Sequence, residues 1–146
     1  MPIPPVLDTL AELAATETDE AARRLGQSVR AAADCEQKLA LLQQYRDDYR
    51  ARLQERMSAG LTVEGYRNFQ GFLDKLDQAL ALQQQAVREA GRRVELERQA
   101  WQASERKRLS YDTLASRAAR QAQQKESRRE QKETDEQAAR LLLYRR

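Results

Sequence analysis

Between Tyr66 and Trp101 an apolar residue returns every seven positions: Tyr66, Leu73, Leu80, Val87, Val94 and Trp101. A second row lies three residues on, at Phe69, Leu76 and Ala90, with Gln83 as the lapse between them. Two such rows are the a and d positions of a heptad, and they predict a helix whose narrow apolar stripe packs on another helix. The preceding part of the chain answers with Leu25, Ala32, Cys35, Leu39, Leu42, Tyr49 and Leu53, at mixed spacings of three, four and seven. That looser row predicts a drifting seam rather than a strictly supercoiled one.

The two patterned stretches are divided by Ser58-Ala59-Gly60-Leu61-Thr62. Gly60 suits the left-handed residue that follows a helix C-terminus, and Thr62 suits the next N-cap. Pro5 fits a first helical turn, and Asp8 and Glu12 complement the positive end of the helix dipole. The prediction is a single all-α domain over 1–146: a helix from about 6 to 58, a turn at 58–62, and a longer helix from 62 to about 143. A connection this short makes the helices antiparallel, a two-helix coiled-coil hairpin. Pivoting about Gly60 pairs residue i with about 120 − i, which sets Leu53 against Arg67 and Phe69, Leu39 against Leu80, and Leu25 against Val94. The first helix then runs out opposite about residue 113, and the second continues unpaired from about 115. At 1.5 Å per residue the second helix reaches on the order of 120 Å. Gly26, Gly65, Gly71 and Gly91 lie inside the predicted helices, each at a cost of roughly 1 kcal/mol relative to Ala. Close approach of the two backbones or local bending would explain them.

Composition agrees with a seam rather than a compact core. Charged residues make up 34% of the 146 and aromatics only 5%, too few large side chains to fill a globular interior. No apolar run approaches the roughly 20 residues of a membrane span. The opening Met-Pro-Ile-Pro-Pro lacks the basic and apolar regions of a secretory signal, so the cytosol is the expected compartment. Cys35 stands alone and reads as a small buried hydrophobe. The chain has no His, which removes the commonest general base and metal ligand. No cluster of Asp, Glu, Lys or Ser stands apart from the solvated faces. Neither catalysis, a metal nor a cofactor is expected.

Two features remain once the seam is accounted for. Tyr45 and Phe72 lie off the a and d rows, and the pairing rule brings Phe72 near Asp48 and Tyr45 near Lys75. With Tyr49, Leu76, Ala79 and Leu42 beneath them they would form an apolar patch on one side, a protein-binding surface unless a register shift buries it. The second feature is charge. From Ser116 to Arg146 there are nine Lys and Arg against five Asp and Glu, while the remainder of the chain is slightly acidic. Interspersed acids and the scarcity of aromatics argue against nucleic acid. A solvated helix face, frayed when alone, is one reading of the tail; the other is a docking segment that orders on a protein partner through small apolar contacts at Ala115, Ala118, Ala122, Ala138, Ala139 and Leu141 to Leu143.

Read in order, several segments resemble the flagellar export protein FliJ family from end to end. They are Leu10-Ala11-Glu12-Leu13, Glu20 to Gly26, Lys38-Leu39 to Leu42, Tyr45, Tyr49-Arg50, the Met57 to Gly60 turn, Tyr66 through Asn68-Phe69-Gln70-Gly71-Phe72, Trp101, and Glu130 to Glu136. The resemblance implies a non-enzymatic component of the type III export apparatus, in the cytoplasm and peripheral to the inner membrane at the flagellar base. It implies a two-helix coiled coil similar to the stalk subunit of rotary ATPases. The partners implied are a FliI-like export ATPase hexamer, the FlhA-like export gate and export chaperones, with membrane contact only through the apparatus. The family's gate-binding surface corresponds here to Leu42, Tyr45, Tyr49, Phe72, Leu76 and Ala79. Lys38 and Gln83 depart from the family pattern at its edges. For the ATPase ring the candidates are Arg117, Arg120, Arg128, Arg129 and Lys132. The stalk protein of a virulence-type secretion system is the alternative with the same architecture.

Overall fold

The computed structural model describes residues 5–145. Two α-helices account for nearly all of them: α1, Pro5–Ala59, and the longer α2, Val63–Tyr144. No strand occurs among the described residues. The expected hairpin is the observed fold.

The turn forms for the reasons its residues suggest. Gly60 takes φ +96°, a left-handed conformation that disfavours any residue with a Cβ. Its N–H donates to the Met57 carbonyl at 3.3 Å, closing α1. Thr62 opens α2 by accepting the Gly65 N–H on its hydroxyl at 3.1 Å, the N-cap bond. The Thr62 carbonyl accepts the Tyr66 N–H at 2.9 Å.

Two compact units can be described, each by itself. In the unit Ala22–Ala100, α1 and α2 pack antiparallel. Along α1 every member of the series Leu25, Ser28, Ala32, Cys35, Leu39, Leu42, Arg46, Tyr49 and Leu53 is buried or half-buried. Its steps alternate strictly between three and four. The matching series in α2 is Phe69, Leu73, Leu76, Leu80, Gln83, Val87, Ala90, Val94 and Glu97. The expected drift of the α1 row is therefore corrected. Its missing members are Ser28 and Arg46, which a search for apolar residues passes over. A straight α-helix would rotate roughly 20° per heptad out of such a register, so rows kept in contact over four heptads require left-handed supercoiling.

The polar members of these rows are individually accommodated. Gln83 donates through Nε2 to the Cys35 carbonyl of α1 at 2.9 Å. Ser28 hydrogen-bonds the Leu25 carbonyl of its own helix at 2.8 Å. Glu97 sits between Arg24 at 3.5 Å and Arg93 at 3.1 Å. Arg46 keeps its Nε buried without a hydrogen bond, with the nearest carboxylates, Asp47 and Asp77, each at 3.8 Å. Cys35 is half-buried in the α1 row. At the turn end, Tyr66 departs from its expected place in the seam and is exposed beside Met57, Leu61 and Val63.

The other unit comprises Met1–Ala21 with Trp101–Arg146. The α1 row here is Leu7, Ala11, Ala14, Thr18 and Ala21, and the α2 row runs from Trp101 through Ser104, Arg108 and Tyr111 to Ala115, Ala118 and Ala122. Ala14, Thr18 and Ala21 are the buried members, and Thr18 returns its hydroxyl to the Ala14 carbonyl at 2.9 Å. Lys107 reaches Glu17 across the pair at 3.7 Å. Arg108 forks onto Glu105 and Asp112. Its hydrogen bonds hold the Glu105 carboxyl below the ordinary value of 4.5. That pairing is complete above the ordinary carboxylate range and is lost as pH falls through the depressed value. From Gln123 to Arg145 every residue is exposed.

The internal glycines are not sites of close helix approach. A Cβ added at Gly26, Gly71 or Gly91 would meet nothing within 4 Å, and at Gly65 it would meet only Leu61 and Thr62 of the turn. Gly71→Ala and Gly91→Ala are each expected to raise unfolding stability by roughly 1 kcal/mol, through helix propensity alone. Gly60→Ala meets no steric obstacle but forces Ala into the left-handed region, and is expected to cost about 1–2 kcal/mol. Urea titrations followed by circular dichroism at 222 nm would read both signs.

Candidate functional site

Tyr49 and Leu76 are members of the seam rows, half-buried between the helices. Tyr45, four residues before Tyr49, and Phe72, four before Leu76, occupy the flanking positions on one side of the pair. The seam therefore carries them without covering them, leaving Tyr45 59% and Phe72 46% exposed. Tyr49 holds the aromatics together. Its ring centroid lies 4.5 Å from that of Phe72 and 4.9 Å from that of Phe69, with interplanar angles of 44° and 42°. Tilted pairs at these separations are favourable quadrupolar contacts. The Arg56 guanidinium stands 5.8 Å from the Phe69 ring centre, at cation–π distance.

Together these residues border a shallow groove of about 430 Å³ lined by Tyr45, Asp48, Tyr49, Arg52, Phe72 and Leu76. Four of the six residues proposed from the sequence thus come together. Leu42, one heptad before Tyr49, and Ala79, one heptad beyond Phe72, are half-buried and do not line it. Asp48 joins Phe72, as the pairing rule anticipates, while Lys75 lies outside the groove. Asp48 and Arg52 were not among the sequence candidates. Their signal was available in helical spacing, since Asp48 is three residues and Arg52 seven residues beyond Tyr45. The groove thus offers aromatic faces with one carboxylate and one guanidinium at its rim. That combination binds an apolar side chain in a polar frame, and none of its members is placed to act as a nucleophile with an adjacent base.

The basic candidates divide. Arg128, Arg129 and Lys132 border a second shallow depression with Ala122, Lys125 and Glu126. Arg117 and Arg120 do not reach it. Among the described residues there is no group of His, Cys, Asp and Glu able to hold a metal ion, and no helix is long and apolar enough to cross a membrane.

The groove separates surface from support, which gives a direct test. Tyr45→Ala is expected to change stability by less than about 1 kcal/mol, because more than half of its surface is already in water, and Phe72→Ala, which also loses the ring contact with Tyr49, by about 1 kcal/mol. Tyr49→Ala, which removes a half-buried ring and two aromatic contacts, should cost about 1–2 kcal/mol, less than the roughly 3–5 of a fully buried aromatic. Thermal denaturation of the three variants would show the order.

Comparison with known proteins places this geometry in a family. The family model described as Flagellar FliJ protein matches residues 5–146. The chain is 33% identical over 137 residues to the Flagellar FliJ protein of Escherichia coli strain K12, covering 94% of this chain and 93% of that protein. It is 31% identical over the same length, with the same coverage, to the Flagellar FliJ protein of Salmonella typhi. The match spans the turn, both helices and the basic tail, and the chain belongs to the flagellar FliJ protein family.

Proposed function

We propose that this chain is a coiled-coil stalk that links the export ATPase ring to the FlhA-like export gate and escorts export chaperones. As a FliJ-family protein it is a component of the flagellar export apparatus. The finer reading is carried by one observation: Tyr45, Tyr49, Phe72 and Leu76, which correspond to the family's gate-binding residues, form one aromatic groove free of intramolecular cover. A groove of that kind docks an apolar side chain of a partner. The tail supplies the second surface, where the exposed end of α2 from Gln123 to Tyr144 carries Lys125, Arg128, Arg129 and Lys132 as side chains to order against the ATPase ring.

In this reading the mechanism is associative. The ring subunits hydrolyse ATP, and the stalk contributes contacts whose strength differs between ring states. Only such differential binding can bias the gate, because a contact of equal strength in every state shifts no equilibrium. With both surfaces carried on one polypeptide, occupancy of one raises the local concentration of the other partner.

The test uses the exposed members of the groove, which can be removed without unfolding the helices. The Tyr45→Ala, Phe72→Ala double variant is expected to lose at least about tenfold in affinity for the purified cytoplasmic domain of the gate, the loss of one anchoring contact, while keeping its helical signal and its binding to the export ATPase. Undiminished gate binding by a fully helical variant would refute the assignment of the groove.

A further inference from the structure

The α2 row that lies against α1 does not stop where its cover stops. Ala115, Ala118 and Ala122 are half-buried members of that row. The same alternation of three and four then leads to Lys125, Arg129 and Lys132, all exposed. At Ala122 the row changes from alanine to cation without changing phase. Lys125, Arg129 and Lys132 border the second depression with Arg128, and Glu126 is the single carboxylate among them. Arg129 is partly engaged by Glu133 of its own helix at 3.7 Å, whereas Lys125, Arg128 and Lys132 form no ion pair among the described residues.

From this continuity we propose that the Lys125–Arg129–Lys132 row is a docking track for an acidic α-helix of a partner protein, one that carries carboxylates at heptad spacing. The occupant is a helix because the row keeps the phase that a packed helix requires. It is acidic because three successive contact positions are cationic and a neutral or basic helix would bury them uncompensated. A second copy of this chain lying parallel and in register is disfavoured on the same ground, since it would set the same cations face to face. The depression, walled by long side chains with alanine at its head, admits carboxylates within reach of the Lys Nζ and Arg guanidinium groups. The inference rests on the reading of the tail as a protein-docking segment and adds the chemistry of what docks.

The test uses the whole chain and a designed helical peptide about four heptads long with Glu at its a and d positions, beside a counterpart with Gln there. Fluorescence anisotropy at about 50 and about 300 mM salt would measure binding. The Glu peptide is expected to bind at least about tenfold more tightly than the Gln peptide and to weaken as salt rises. Lys125→Glu with Lys132→Glu should abolish at least about tenfold of that affinity, whereas the charge-matched Arg23→Glu with Arg30→Glu, on exposed α1 positions, should leave it within about twofold. Equal binding of the two peptides would overturn the proposal, and so would an equal loss in the Arg23/Arg30 variant, which would make net charge the cause. A short single-stranded DNA bound as tightly as the Glu peptide, through the same two lysines, would replace the acidic helix with a phosphate track and overturn it as well. The two readings of the tail fail separately. Normal ATPase binding by the Lys125/Lys132 variant, with peptide binding lost, removes the ATPase from this track and leaves the track standing.

Discussion

Everything described in this protein depends on holding two helices in contact along a row two residues wide. With 5% aromatic content the chain cannot build an interior, and its buried positions are few: Ala14, Ala21, Leu53, Leu73 and Leu80, with Thr18 and Ser28. So thin a contact tolerates polar members only if each is satisfied locally. Thr18 and Ser28 return their hydroxyls to their own helix, Gln83 reaches a backbone carbonyl of α1, and Glu97 is held between two arginines. An unpaired polar group at any of these places would consume much of what the neighbouring apolar contacts contribute. Polar groups at a and d positions also penalise slippage, because a shift by one heptad would strand Gln83 opposite a different surface.

The same geometry creates the exposed aromatic groove. A seam of alternate three- and four-residue steps uses two positions in seven, so side chains one step to the side are supported at the root and bare at the tip. Tyr45 and Phe72 stand there, and Phe72 is steadied by Tyr49, which is itself a seam residue. A large aromatic at such a place stabilises the pair only modestly, yet it is presented with little freedom to lose on binding. The groove is thus a by-product of the packing that fixes Tyr49, and no separate loop or domain is needed to build it.

Within the covered stretch four cations of α2 are paired: Arg93 and Arg98 on glutamates of their own helix, Lys107 on Glu17 of α1, and Arg108, a row member, on Glu105 and Asp112. Beyond Ala122, Arg129 has only a long contact to Glu133.

Much of this was legible in the sequence, because heptads and caps are local signals. The period of seven in α2 identified the paired helix, Gly60 and Thr62 located the turn, and the low aromatic content excluded a compact core. The patch was partly legible too, since helical spacing alone lifts Tyr45 and Phe72 off the seam. What the sequence could not settle was which small and polar residues join the rows. Ser28 and Arg46 carry no apolar signal, and only contact with the facing helix reveals them as members, which is why the α1 row read as loose when it is strict. The glycines likewise looked like points of close approach, and only the surroundings of each missing Cβ show that Gly26, Gly71 and Gly91 face open space. Local patterns fix where helices begin, end and turn their apolar stripe. Which side chains are covered, paired or left exposed is a property of the neighbouring helix, and the tertiary structure alone decides it.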